Sequence, residues 1–378
     1  MVRQKTIDII EHLINFIDLR YLNYSIIKYN SEYLYELFIK IKKHWLIDEN
    51  IKHIELVNEN IKYKEIMKTI NNSIMCEYDY INKILKGVKK IIKLNDGNIT
   101  FYYIDLGKYD EDKKQINELF FQSVCLIKFN DLYKKGEIII IWIPTETERN
   151  FNYSIINKEN INLSIKNFEA FTASGVTFNN NPRITIITRY EEISKLLIHE
   201  LIHNINLDGS GYHSHNKTII EKYKKIKNPE TKNKIKNYDY SYSIYESYTE
   251  LLSSYLSMIF RNINLIKKEE IIKRFETEII IEILYSYNTI ANLIKLNNYK
   301  TYEDFEKQQK FEGDICIYEY YFLKALMYNN YKLKLCNNQD EFNNNYEIII
   351  NINKKDPLLK SVFNNMKKQT NFRYIFYD

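Results

Sequence analysis

The sequence predicts an α+β protein: a mixed sheet leading into one motif-bearing helix, with helical regions before and after. Three observations carry this. Apolar residues recur at spacings of three and four near both ends of the chain. β-branched and aromatic runs of strand length cluster between residues 98 and 188. The last of those runs passes directly into Leu196-Leu197-Ile198-His199-Glu200-Leu201-Ile202-His203-Asn204, whose apolar spacing is helical.

In order, Ile7, Ile10, Leu13, Ile14 and Ile17 repeat at helical spacing, as do Leu34, Leu37, Phe38 and Ile41. Ile81, Ile84, Leu85, Val88, Ile91 and Ile92 form the strongest such stripe, with Lys86, Lys89, Lys90 and Lys93 on the opposite, solvated side. Asp96-Gly97 signals a turn, after which the period changes. Strands are expected at 98–105, 123–129 and 137–143, the last closed by Pro144 and apolar enough to be central. Further strands are expected at 161–165, 168–178 and 184–188. Within these, Phe171-Thr172-Ala173-Ser174-Gly175-Val176-Thr177 has the small residues of an edge strand that another backbone can approach.

The motif helix should end near Leu207-Asp208-Gly209, with the glycine as cap. A Lys-rich excursion follows over 215–237, with a short helix at 218–226. Helices are then expected at 243–261, 268–284, 302–309 and 317–327, a strand at 346–350, and an amphipathic segment after Pro357. This divides the chain into an N-terminal helical region (1–95), a central domain (96–265) and a C-terminal helical region (266–378).

The 378 residues, 45% hydrophobic and 27% charged, are those of a folded globular chain. Ile, Lys, Asn and 34 Tyr dominate, while Gly (8) and Pro (4) are scarce. Those abundant residues have AT-rich codons, so the bias reports the genome, such as that of a large DNA virus or a similarly AT-rich organism. A net charge of +5 is too weak to imply nucleic acid, and no nucleic-acid partner is expected. Cys76, Cys125, Cys316 and Cys336 are scattered and form no CxxC pair, which fits a reducing compartment. Asp8, Glu11 and Asp18 interrupt the N-terminal apolar pattern, so no signal peptide is expected, and no apolar run is long enough for a membrane span. The expected location is intracellular: cytoplasm, host cytoplasm or virion.

The chemistry concentrates on one helix. His199 and His203 are four residues apart and share a face, so two imidazoles can reach one metal ion. Glu200 stands beside the first ligand as a base for a metal-bound water. A catalytic zinc needs a third protein ligand and an open position. A third His six residues after the second is excluded, because Gly209 stands there. Asp208 is one candidate, as ligand or supporting carboxylate. The better one is Glu246 on the following helix, with Glu250 one turn further along the same face to orient a ligand His. Paired carboxylates in so apolar and Tyr-rich a helix would be costly without a cation. Tyr242, Tyr245 and His213 are candidates for stabilising an oxyanion, being near the ligands in sequence, with His215 beside them.

His199-Glu200-Leu201-Ile202-His203 with the downstream Glu246-x-x-x-Glu250 resembles the gluzincin group of zinc metallopeptidases over about 60 residues, from Tyr190 to Glu250. The resemblance implies a zincin-like core of mixed sheet, active-site helix and glutamate helix. It implies Zn2+ held by His199, His203 and Glu246, with Glu200 as base, acting on a peptide or protein substrate. Two departures stand out: the stretch from His203 to Glu246 is longer than in compact gluzincins, and Glu250 stands where the group usually has Asp. The alternatives are a non-catalytic zincin-like zinc-binding protein, favoured by a fourth protein ligand, and a helical scaffold carrying a chance motif.

Overall fold

A computed structural model describes residues 4–45, 52–56, 61–71, 86–130, 136–145, 153–157, 160–163, 175–179, 182–188, 190, 192–209, 244–296, 299–308, 318–353 and 355–367. Among the described residues the fold is α+β, with a six-stranded mixed sheet in the order β1-β2-β3-β4-β8-β7. The chain divides into two compact units.

One unit comprises Phe38–Asn150 and Asn167–Leu207 and carries the sheet. Its strands are β1 (Ile54–Leu56), β2 (Lys90–Asp96), β3 (Ile99–Asp105), β4 (Ile138–Ile143), β7 (Gly175–Phe178) and β8 (Arg183–Thr188). Strands β3, β4 and β8 run parallel, while β1, β2 and β7 join antiparallel. All six residues of β4, Ile-Ile-Ile-Ile-Trp-Ile, are buried, as a strand covered on both faces requires. One face packs Tyr102, Ile104, Ile139, Ile141, Ile143 and Ile186 against Ile66 and Ile70 of helix α3 (Ile61–Asn71). The other face meets α4 (Tyr109–Phe129) and α5 (Ile193–Asn204), with Phe101 edge-on to Phe120. Near the ends of β3 and β8, the hydroxyls of Tyr103 and Tyr190 both donate to the buried Asp112 carboxylate. Burial, followed by these bonds to an acid, pushes both phenols above their usual range.

The other unit comprises Met1–Leu37, Phe151–Lys166 and Asp208–Asp378. It holds α1 (Gln4–Phe16), the hairpin β5 (Tyr153–Asn157) and β6 (Asn160–Leu163), α6 (Ile244–Arg261), α7 (Lys268–Leu296) and α8 (Tyr302–Gln308). A π-helical turn (Tyr318–Leu323) then feeds α9 (Lys324–Asn330), followed by α10 (Gln339–Ile350) and α11 (Pro357–Asn365). Helix α2 (Tyr24–Lys42) spans the division at Leu37. Helix α7 is the hub, packing on α1, α9 and α11. Asp356 caps α11 by accepting from Leu359 N and also takes the Tyr287 hydroxyl at 2.7 Å. No described helix is long and apolar enough to cross a membrane.

The expected strands at 98–105, 137–143 and 184–188 are present as β3, β4 and β8, and part of 161–165 as β6. Four expectations are corrected. The 123–129 run is the last two turns of α4, where Ile116, Leu119, Phe120, Ser123, Val124 and Ile127 are buried at helical spacing. A short apolar run cannot be told from a buried helix end by period alone. Ile91 and Ile92 do not continue a helix; they lie in β2, opposite Ile104 and Tyr103, and both are buried because the sheet is covered on both faces. The 346–350 run is the end of α10, started by Asn338 accepting from Glu341 N. The motif helix stops at Asn204, earlier than expected. Its cap is a Schellman turn on left-handed Asn206, with Leu207 N bonded to Ile202 O and Asn206 N to His203 O. Residues 81–85, 168–174 and 215–237 lie outside the described residues.

Burial lifts the phenols of Tyr248, Tyr255, Tyr287, Tyr328, Tyr331 and Tyr346 above the ordinary value. The folded chain therefore keeps protons that the unfolded chain releases above pH of about 10. Stability should hold up to that pH and then fall, each such phenol costing up to about 1.4 kcal/mol per pH unit. Urea unfolding midpoints between pH 8 and 11 measure this.

Candidate metal centre

Helix α5 carries the motif. Its buried Ile193, Leu197, Ile198, Leu201 and Ile202 hold it in the core of its unit, where it packs on α4, β7 and β8. The entry is tight, since Glu192 takes a left-handed conformation (φ 59°), which costs a non-glycine residue about 1–3 kcal/mol. The exit is the Asn206 cap. Between these two fixed ends, His199 and Glu200 are buried and His203 is half-buried.

The two imidazoles converge. His199 Nε2 and His203 Nε2 are 3.1 Å apart, and the rings are nearly perpendicular at 80°. Two nitrogens each about 2.0–2.1 Å from one tetrahedral zinc would be separated by about 3.3 Å, so this pair has the spacing that the ion requires. Among the described residues, His199, His203 and Glu246 are the ones that could hold a metal. Asp208 is not among them. Asp208 is fully buried, its carboxylate accepting the Thr249 hydroxyl at 3.0 Å and its backbone carbonyl accepting the Tyr346 hydroxyl.

Glu246 and Tyr245 are half-buried in the first turn of α6. Glu250, one turn on, is buried and faces the Lys324 ammonium at 4.0 Å, with both side chains almost wholly shielded. Lys324 is thus a cation that offsets the burial of Glu250, and it stands where the π-helical turn passes into α9. Tyr242, His213 and His215 lie outside the described residues.

Glu200 has a seat of its own on the sheet. Among the described strands β7 (Gly175–Phe178) ends the sheet order opposite β1, which is the place expected for the edge over 171–177 as far as that segment is described. Thr177 Oγ1 donates to Glu200 Oε2 at 2.8 Å and lies 3.0 Å from Glu200 O. A Cβ on Gly175 would stand 2.6 Å from both Glu200 Cγ and Oε1, so the glycine is the opening through which the side chain runs. In the sequence Gly175 stands out only as a small residue. The part played by Thr177 has no signal there, because it depends on which residues of β7 face α5.

Comparisons with protein families, with curated proteins and with solved structures gave no match to this chain.

Gly175→Ala should destabilise the chain by about 1–3 kcal/mol through displacement of the Glu200 carboxylate from its donor. With Glu200→Ala in place, the same change should be neutral or stabilising by up to about 1 kcal/mol, since alanine restricts the unfolded chain. Urea unfolding of the four variants measures both effects.

Proposed function

We propose that the chain is a zinc-dependent metallopeptidase, with His199, His203 and Glu246 as zinc ligands and Glu200 as general base and acid. The observation that carries the reading is the convergence of the His199 and His203 Nε2 atoms at 3.1 Å. Two neutral nitrogens and one carboxylate suit zinc, and three protein ligands leave a fourth position for water or substrate.

Bound zinc would lower the pKa of its water towards about 7 and polarise the scissile carbonyl. The residues of the chain do the rest. Glu200, next to a ligand in sequence and held at its carboxylate by Thr177, takes the water's proton and then passes it to the leaving amine. Glu246 supplies the anionic ligand. Edge strand β7, whose Gly175 and Thr177 seat Glu200, offers backbone groups along which a peptide can lie as an added strand. A half-buried Tyr245 beside Glu246 is the described candidate for stabilising the oxyanion.

Elemental analysis should find one zinc per chain in wild type and in Asp208→Ala. His203→Ala and Glu246→Ala should lose it. Glu200→Gln should keep the zinc while hydrolysis of a peptide mixture, followed by mass spectrometry, falls by about 10²–10⁴-fold. Zinc retained with hydrolysis undiminished in Glu200→Gln would rule out the base assignment. Zinc lost only when a fourth protein ligand is also removed would favour a closed, non-catalytic site.

A further inference from the structure

We propose that Asn204, Thr185 and Thr177 form a one-way hydrogen-bond relay that positions the Glu200 carboxylate, which makes Thr177 a positioning residue for hydrolysis. This rests on the reading of Glu200 as the base.

Asn204 Nδ2 is a donor only, and it donates to Thr185 Oγ1 at 2.9 Å. Thr177 has a single hydrogen and Glu200 accepts it, so across the 3.4 Å gap between the two hydroxyls, the longest link, Thr185 is the donor. Thr177 then gives its single hydrogen to Glu200, where the charged Oε2 at 2.8 Å is a stronger acceptor than the carbonyl at 3.0 Å. Each threonine hydroxyl thus receives one hydrogen and gives one, and each link polarises the next. Asn204 and Thr185 are fully buried, so water cannot replace them.

Both ends of the relay belong to α5, four residues apart. It leaves the helix at Asn204, crosses β8 at Thr185 and β7 at Thr177, and returns to the helix at Glu200. The backbone oxygen of Asn204 is held in turn by the Arg183 guanidinium. With Gly175 leaving the opening on the same strand, the place of the carboxylate is set by the sheet edge as well as by the helix. A substrate strand laid along β7 and the base that serves it would then share one frame.

The test uses the full chain as wild type, Thr177→Val, Thr177→Ser and Thr185→Val, with Glu200→Ala alone and combined with Thr177→Val. Thr177→Val should keep one zinc per chain and an unchanged KM, while kcat falls by about 10–100-fold, the scale of a displaced catalytic group. Thr177→Ser, which keeps the donor, should recover most of that loss. Thr185→Val should show a smaller loss of kcat. In unfolding, Thr177→Val should lower the midpoint temperature by about 2–4 °C when Glu200 is present and leave it unmoved with Glu200→Ala.

Equal kcat for wild type and Thr177→Val overturns the proposal, as does a stability loss that is the same with and without the Glu200 carboxylate. If Thr177→Val does not fold, a Thr177→Ser chain that loses kcat as Thr185→Val does, without rescue, overturns it equally. A wild type that binds zinc and cleaves nothing, or a Glu200→Gln chain that still cleaves, removes the base reading and the positioning role with it. Midpoint coupling in that case shows the hydrogen bond surviving without the role, so the two failures are distinguishable.

Discussion

The burial of β4 on both faces is the constraint from which the sheet unit follows. A strand of five isoleucines and a tryptophan has no side that water can accept, and each such side chain gains about 1.5–3 kcal/mol by leaving it. The neighbours on either side, β3 and β8, are therefore parallel partners reached by long connections, and each face needs a helical layer. One layer is α3. The other is α4 with α5, and α5 is the helix that bears the two histidines. The placement of the candidate centre is thus a consequence of how the most apolar strand is covered.

Covering a sheet with a helix that carries His199, Glu200 and Asn204 brings polar groups into the same low-dielectric layer. Each must be satisfied, since an unmet buried group costs about 1–3 kcal/mol. For Glu200 and the Asn204 amide nitrogen the partners are threonines on the sheet: Thr185 and Thr177 point to the α5 side, while Ile184, Ile186, Val176 and Phe178 point to the α3 side. Strand alternation makes this possible, because two-residue spacing delivers one polar set and one apolar set from the same strand. The helical unit meets the same demand differently, with the Glu250–Lys324 pair and the Asp356 cap that also holds Tyr287.

What can be read from the residues alone follows the range of the interactions. The His199-Glu200-His203 helix, strands β3, β4 and β8, and helix α6 are legible, since period and motif spacing are local. The α4, α10 and β2 misreadings share one cause: a short apolar or β-branched run, at 123–129, 346–350 and 91–92, suits a buried helix or a buried strand alike, and only its partners decide. Ile349 and Ile350 are buried on the same helix face as Phe342 and Tyr346, whereas Ile91 and Ile92 are buried on opposite faces of the sheet. The Asn206 cap escapes a sequence reading because glycine is the commoner left-handed residue and Gly209 stands close by. The Thr177 contact is out of reach, because it exists only once β7 and β8 have paired in register.

The two tryptophans of the chain, Trp45 and Trp142, both fall in the unit that carries the sheet. Trp142 is fully buried, with the rings of Tyr103 and Tyr190 at 5.2 and 5.7 Å, and Trp45 lies 5.9 Å from Phe121. Indole emission is therefore a property of that unit alone, excited in part by energy transfer from its own tyrosines. The helical unit contributes no indole. The sheet unit thus carries its own intrinsic optical label, and its assembly can be followed without attaching a dye.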